Sequence, residues 1–130
     1  MPNHQNVMIY CEIVEGQLAA ITKELLGGAR RLADELGEEL VAVFIGDNVI
    51  EPAGEATAYG ADRVYVVDID NQRVQVFDSD GNYVTAFGEL GTADGQFARP
   101  LAICVDPSGA VYVVDEALSR VQKFVPTSGE

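Results

Sequence analysis

The chain predicts an α/β unit, ordered strand–helix–strand–helix–strand, joined to an antiparallel β meander. Three observations carry this. The first half alternates short apolar runs with stretches of helical period. The segment Val64–Phe77 (VYVVDIDNQRVQVF) then recurs as Val111–Phe124 (VYVVDEALSRVQKF), 47 residues later, with nine of fourteen positions identical. A self-similar period of this length marks a repeat architecture, most often four-stranded blades. Finally, everything after Asp68 reads as short strands and turns without helical spacing.

Asn6–Val14 (NVMIYCEIV) is an apolar run closed by Glu15-Gly16 and is expected to be a buried strand. Gln17–Leu36 follows, with Leu18, Ile21, Leu25, Ala29, Leu32 and Leu36 at intervals that place them on one helical face toward the core. Arg30, Arg31, Asp34 and Glu35 are left toward water, and Gly37 is a stop signal. Gly27-Gly28 costs about 1 kcal/mol per glycine against alanine in mid-helix, so close packing on a neighbour is expected there. Glu39–Ile45 (ELVAVFI) is almost wholly apolar, as in a parallel strand covered on both faces. Gly46-Asp47-Asn48 makes a loop, Val49–Tyr59 a short helix weakened by Pro52 and Gly54, and Val64–Val67 a third strand.

From Arg73 the pattern is a meander. Arg73–Phe77 and Asn82–Phe87 flank the turn Asp78-Ser79-Asp80-Gly81, and a loop runs from Gly88 to Pro100. Leu101–Val105, Val111–Val114 and Arg120–Phe124 complete it, with a turn at Asp106-Pro107-Ser108-Gly109.

The 130 residues suffice to bury roughly two-thirds of the surface an unfolded chain exposes. A net charge of −13 argues against nucleic acid and against an anionic membrane, since both are bound through Lys and Arg. No apolar run approaches the ~20 residues that span a bilayer, and MPNHQN has none of the marks of a signal peptide, so a soluble, cytoplasmic protein is expected. Cys11 and Cys104 fall in separate strands and read as buried free thiols. The one histidine, His4, lies near the terminus, which leaves no basis for a histidine triad or a zinc site.

NVMIYCEIVEGQLAAITKELLGGARRLADELGEELVAVFIGDNV, followed by AYGADRVYVVD, resembles the N-terminal domain of the electron transfer flavoprotein alpha subunit, from about Asn6 to Asp68. The resemblance implies an α/β unit related to adenine-nucleotide-binding folds, docked against a beta subunit, with FAD held mainly by a separate C-terminal domain. No counterpart of that domain follows here, so a fold is implied and a complete flavin site is not. VQVFDSDGNYVTAFGELGTADGQFARPLAICVDPSGAVYVVD closely resembles NHL repeats, with coverage from Val64 to about Phe124. That resemblance implies blade strands in the order second, third, fourth, then first, second, third, which is too few to close a propeller ring. It also implies a protein-interaction role, less often RNA binding or catalysis.

Each candidate motif has a plainer competitor. Gly46, Asp47 and Asn48 follow an apolar strand, where α/β proteins bind ligands, and they are the candidate cofactor-binding residues, for FAD or AMP. GxGxxG and P-loop patterns are both absent, so a connecting loop and no cofactor is the stronger reading. Asp68, Asp70, Asp78 and Asp80 sit where strands turn, without the spacing of a calcium loop. Asp115-Glu116 likewise ends a strand, and Arg73 and Arg120, at equivalent repeat positions, are expected to form repeat-to-repeat salt bridges. Tyr65, Phe77, Phe87, Tyr112 and Phe124 read as core or inter-sheet packing.

Two pieces are therefore expected, residues 1–68 and 64–130, sharing Val64–Asp68 as a seam. The meander leaves unpaired strand edges, which either fold back on the α/β unit or pair between copies. A homo-oligomer through β edges is favoured, and a protein partner is the other expected interaction. The functional expectation is a non-catalytic structural or interaction module, natural or engineered as a chimera. The alternative is a nucleotide- or flavin-binding electron-transfer remnant.

Overall fold

A computed structural model describes residues 6–46, 49–106 and 108–125, with the backbone alone for Ile50. In chain order its elements are β1 (Val7–Tyr10), β2 (Ile13–Val14), β3 (Gln17–Leu18), α1 (Ala20–Leu36), β4 (Leu40–Gly46), α2 (Ile50–Ala58), β5 (Arg63–Asp68), β6 (Arg73–Asp78), β7 (Tyr83–Phe87), β8 (Pro100–Val105), β9 (Val111–Asp115) and β10 (Arg120–Phe124). The five-stranded sheet runs β1-β4-β5-β6-β7, and a second sheet runs β10-β9-β8. β1, β4 and β5 are parallel, whereas β5-β6-β7 and β8-β9-β10 are antiparallel. The α/β unit and the meander are therefore one continuous sheet joined at β5, with the last three strands folded back upon it.

Alternation along the central strands sets the layers. Leu40, Ala42, Phe44, Val64 and Val66 face Leu26, Ala29 and Ala33 of α1 and Ala53 and Ala56 of α2. Val41, Val43, Tyr65 and Val67 face the opposite way and pack on Phe97, Val105, Val111 and Val113. The strand order β1-β4-β5 advances in one direction, so both helices lie on one face and the blade strands cover the other. Within the repeat, Val64 and Val66 match Val111 and Val113, and the helices occupy the face of β5 that its copy β9 turns toward the next sheet.

Phe97 anchors this second core from the loop, fully buried and with its ring centroid 5.6 Å from that of Phe124. Burial of such a ring contributes about 1.5–3 kcal/mol. Gly88 makes room for it: its φ is +100°, and a Cβ there would lie 2.6 Å from Phe97 Cδ2.

The structure departs from expectation in the first forty residues. Asn6–Val14 is not one strand. The chain breaks after Tyr10, and Ile13-Val14 pairs back on Gln17-Leu18 through the turn at Glu15-Gly16. The helix consequently starts at Ala20, where buried Thr22 accepts the Glu12 N–H at 2.9 Å and donates to the Glu12 carbonyl at 3.3 Å. It ends as expected at Gly37, with φ of 70° and the N–H of Glu38 bonded back to Ala33.

The face that α1 buries is also different. Thr22, Leu26, Ala29 and Ala33 contact the core, while Ile21, Leu25, Leu32 and Leu36 are 53%, 46%, 48% and 57% exposed. Small Ala29 and Ala33 let the helix sit close to the sheet, and Arg30 fixes its rotation from the flank that faces α2. The Arg30 guanidinium donates to the Gly60 carbonyl and to Asp62, both at 2.8 Å. Gly27 and Gly28 have no close neighbour either: a Cβ at Gly27 meets nothing within 4 Å, and at Gly28 only Arg31 Nη2 at 3.9 Å. The packing expected at these glycines is absent among the described residues. No helix among the described residues is long and apolar enough to cross a membrane.

Candidate functional site

Of the three residues assigned to a cofactor, Gly46 is placed and Asp47 and Asn48 lie outside the described residues. Gly46 ends β4 opposite Asp68 of β5, and its carbonyl accepts the Ile69 N–H at 3.1 Å. A Cβ on it would lie 3.3 Å from Val49 Cγ1. Open α/β sheets bind ligands where the strand order reverses, because the loops there diverge to either face. The β1-β4-β5 order contains no reversal, so the end of β4 is flanked by loops that turn to the same side.

A cleft of ≈ 440 Å³ lies instead at the amino ends of β4 and β5, between the two sheets. Val41, Val105, Val111 and Phe124 form apolar walls, and Glu39, Arg63 and Tyr65 bring charge and a phenol to one side. Burial pushes the Tyr65 phenol up, with the nearby Arg63 guanidinium acting against it. The phenol therefore stays protonated near neutrality and serves as a hydrogen-bonding group rather than a base. Such a mixed lining can hold a small, partly apolar molecule. The sequence carried no signal for this cleft beyond the alternation that puts Arg63 and Tyr65 on one face. Its walls come from β4–β7 of one sheet and β8–β10 of the other, which no local pattern links.

Several of the carboxylates noted in the sequence are engaged in the fold. Asp78 accepts from the N–H groups of Asp80 and Asn82, both at 2.9 Å. Asp106 accepts from the Ser108 hydroxyl and N–H, the Ala110 N–H and the Tyr112 hydroxyl. The turn reading holds for both. Asp68 is buried and accepts from the Asn71 side chain at 2.9 Å and from Arg73 at 3.3 Å. Asp115, with no exposed surface, accepts from the N–H groups of Ala98, Arg99 and Leu118 at 2.8, 3.0 and 3.3 Å. No group of three metal-ligating side chains occurs among the described residues.

The repeat-to-repeat salt bridge expected at Arg73 is replaced by a local one, whereas Arg120 reaches the loop between the repeats and lies 4.0 Å from Asp94 there. Arg73 pairs with Asp68 across its own hairpin, and Arg120 donates to the carbonyls of Ala93 and Gln96 at 2.8 Å. For Arg73 the reason is the strand register, which sets Asp68 directly opposite it. One of the two thiols also differs from expectation. Cys11 is buried, and burial pushes it up to about 12, opposed by a backbone contact with Val43, whereas Cys104 is exposed. Cys104 points away from the second core because its neighbours Ile103 and Val105 face inward. The aromatic reading is met at Tyr65, Phe87 and Phe124, which pack between the sheets, with Phe87 and Phe124 centroids 4.5 Å apart.

Two family descriptions match the chain, and they overlap on residues 48–75. One, "electron transfer flavoprotein domain", covers residues 7–75, and the other, "6-bladed beta-propeller", covers residues 48–130. The first match runs past Asp68 into β6. Among curated proteins, the electron transfer flavoprotein subunit alpha of Thermoanaerobacterium thermosaccharolyticum is 38% identical over 90 residues, 69% of this chain and 26% of that protein. Subunit LctC of the lactate dehydrogenase (NAD(+),ferredoxin) of Acetobacterium woodii is 38% identical over 65 residues, 50% of this chain and 16% of its own length. The acryloyl-CoA reductase electron transfer subunit beta of Anaerotignum propionicum is 42% identical over 64 residues, 49% of this chain and 17% of its own. The chain thus spans about a quarter or less of the relatives it matches. With a parallel β1-β4-β5 unit under the first match and paired antiparallel blades under the second, the chain belongs to the electron transfer flavoprotein domain family through residues 7–75 and to the 6-bladed β-propeller family through residues 48–130.

Proposed function

We propose that the chain is a non-catalytic structural and interaction module, formed by fusion of an electron-transfer-flavoprotein-type piece (residues 1–68) with a blade-type piece (residues 64–130) across their shared strand. Its carrying observation is the pairing of two facts. The buried carboxylates Asp68 and Asp115 are spent on turns and strand ends, while large apolar side chains stand in water on α1 and on the outer face of the second sheet, including Val114 and Val121. Contiguous exposed apolar surface is the mark of a docking face. Strand edges that are open among the described residues, at β1, β7, β8 and β10, add backbone donors and acceptors, and they favour self-association over nucleic acid or membrane for so acidic a chain. Two unpaired thiols fit the cytoplasm.

A second reading has support of its own. Membership in a flavoprotein domain family, with a ≈ 440 Å³ cleft beside Arg63 and Tyr65, favours a nucleotide- or flavin-binding remnant, with Gly46, Asp47 and Asn48 as an additional candidate site. The purified chain decides between them. On the module reading it is colourless, and neither FAD nor AMP at millimolar concentration moves its melting temperature. A yellow preparation, or a shift of several degrees with either ligand, overturns that reading in favour of the remnant.

A further inference from the structure

Among the described residues β1 pairs only with β4, so it is an edge of the five-stranded sheet. The N–H groups of Val7 and Cys11 bond inward to Glu39 and Val43, which by strand alternation turns the backbone groups of Met8 and Tyr10 outward. Helix α1 stands above this edge with a definite rotation. Arg30 reaches Gly60 and Asp62, and the Lys23 ammonium lies 5.9 Å from the Tyr59 ring centroid, so that flank faces α2 and the interior of the sheet. At 100° per residue, Ile21, Leu25, Leu32 and Leu36 fall on the opposite flank, directed past β1. Four exposed aliphatic side chains and an open strand edge therefore form one continuous surface, with Gly28 in the middle of the helical stripe.

We propose that this surface is covered by a second copy of the chain, with β1 pairing antiparallel to β1 and α1 packing antiparallel to α1 about a two-fold axis near Gly28. The inference rests on the reading of the chain as an interaction module and selects its face and its occupant. Symmetry supports it: a strand and the helix that follows it run in opposite directions, so one two-fold axis normal to the sheet pairs both at once, as an isologous contact requires. Charge supports it too. Glu24, Arg31 and Glu35 border the stripe, and antiparallel pairing centred on Gly28 brings Arg31 of each copy beside Glu24 of the other. Parallel pairing would set each of these charges against its own kind. Gly28, with no side chain and only Arg31 Nη2 nearby, 3.9 Å from where a Cβ would lie, lets the helices approach closely, which accounts for a mid-helix glycine that its own chain leaves without close packing.

Light scattering of the full chain across a wide concentration range should give twice the 13.9 kDa chain mass. The variant Leu25→Glu/Leu32→Glu should be monomeric with an unchanged far-ultraviolet circular dichroism spectrum. Arg31→Glu should weaken the dimer at least tenfold, and the charge swap Glu24→Arg/Arg31→Glu should restore it. In a Cys104→Ser background, Gly28→Cys treated with diamide should give a disulfide-linked dimer on a non-reducing gel, while Gly27→Cys should not. A chain that stays monomeric at all concentrations overturns the proposal. So does a multimer whose mass ignores Leu25→Glu/Leu32→Glu and in which the Gly28→Cys variant forms no cross-link. Either failure leaves the FAD and AMP result untouched, so the two readings stand or fall separately.

Discussion

Asp115 gathers the N–H groups of Ala98, Arg99 and Leu118, which ties the Gly88–Arg99 loop and the β9–β10 turn to one buried carboxylate. Burial pushes this carboxyl up, but the three N–H donors and the charge of Arg120 outweigh it and hold it below the ordinary aspartate range. Its repeat counterpart, Asp68, has no preceding blade loop to bind, and Asn71 and Arg73 fill that place. Replacing Asp115 by alanine strands several donors under Phe97 and should cost about 2–4 kcal/mol. Urea denaturation at neutral pH measures this, and the midpoint should fall without loss of slope. Acid should act in the same direction. A carboxyl depressed in the folded state contributes stability that is complete above its unfolded value of about 3.9 and is lost as pH falls through the lower folded value. The hydroxyl and N–H of Ser108 with the Ala110 and Tyr112 donors lower Asp106, and the N–H groups of Asn82 and Asp80 lower Asp78, so all three add to the loss. Melting temperature should therefore drop below about pH 4, less steeply in Asp115→Ala than in the parent chain.

At the scale of elements, helix α1 is held by a clamp rather than by its longest apolar stripe. Asp62 accepts from Arg30 at 2.8 Å and from the Leu40 N–H at 2.9 Å, joining the helix to the starts of β4 and β5. Asp62→Ala leaves that N–H without its partner and leaves Arg30 only the Gly60 carbonyl and Asp34, and about 1–3 kcal/mol of stability should go with it. Hydrogen exchange should show the loss first at Leu40 and along α1, with β8–β10 unaffected at low denaturant. The sequence made the parallel strands plain, because ELVAVFI and RVYVV are apolar at nearly every position, and it made the blade turns plain through their Asp and Gly residues. The rotation of α1 was not legible. Two faces of the helix can serve as a core, one with Ile21, Leu25, Leu32 and Leu36 and one with Leu26, Ala29 and Ala33. The choice between them is made by Asp62 and Thr22 acting across tens of residues. The cleft escaped for the same reason: Glu39, Arg63 and Phe124 are brought together by the fold-back of the second sheet, which nothing local in the chain encodes.

For the whole molecule, the consequence of one sheet running through β5 is that neither residues 1–68 nor residues 64–130 hold a complete core. A parallel α/β unit ordinarily covers both faces of its sheet with helices. Here α1 and α2 cover one face, and the side chains of Val41, Val43, Tyr65 and Val67 on the other are buried by Phe97, Val105, Val111 and Val113, all from the blade piece. Removing residues 69–130 would expose that face and leave β5 a bare edge, so the fragment 1–68 should not fold by itself. The reverse fragment, 64–130, would keep its hairpins but lose β4 beside β5 and the helices above Val64 and Val66. The full chain should accordingly unfold in a single transition, with circular dichroism and tyrosine fluorescence superimposing, because Tyr65 and Tyr112 sit in strands of the two packed sheets. A mixture of the two fragments at high concentration should regain helical signal only when both are present. Two resolved transitions, or a folded 1–68 fragment, would mean that the α/β unit still stands alone and that the blade strands decorate a core they do not complete.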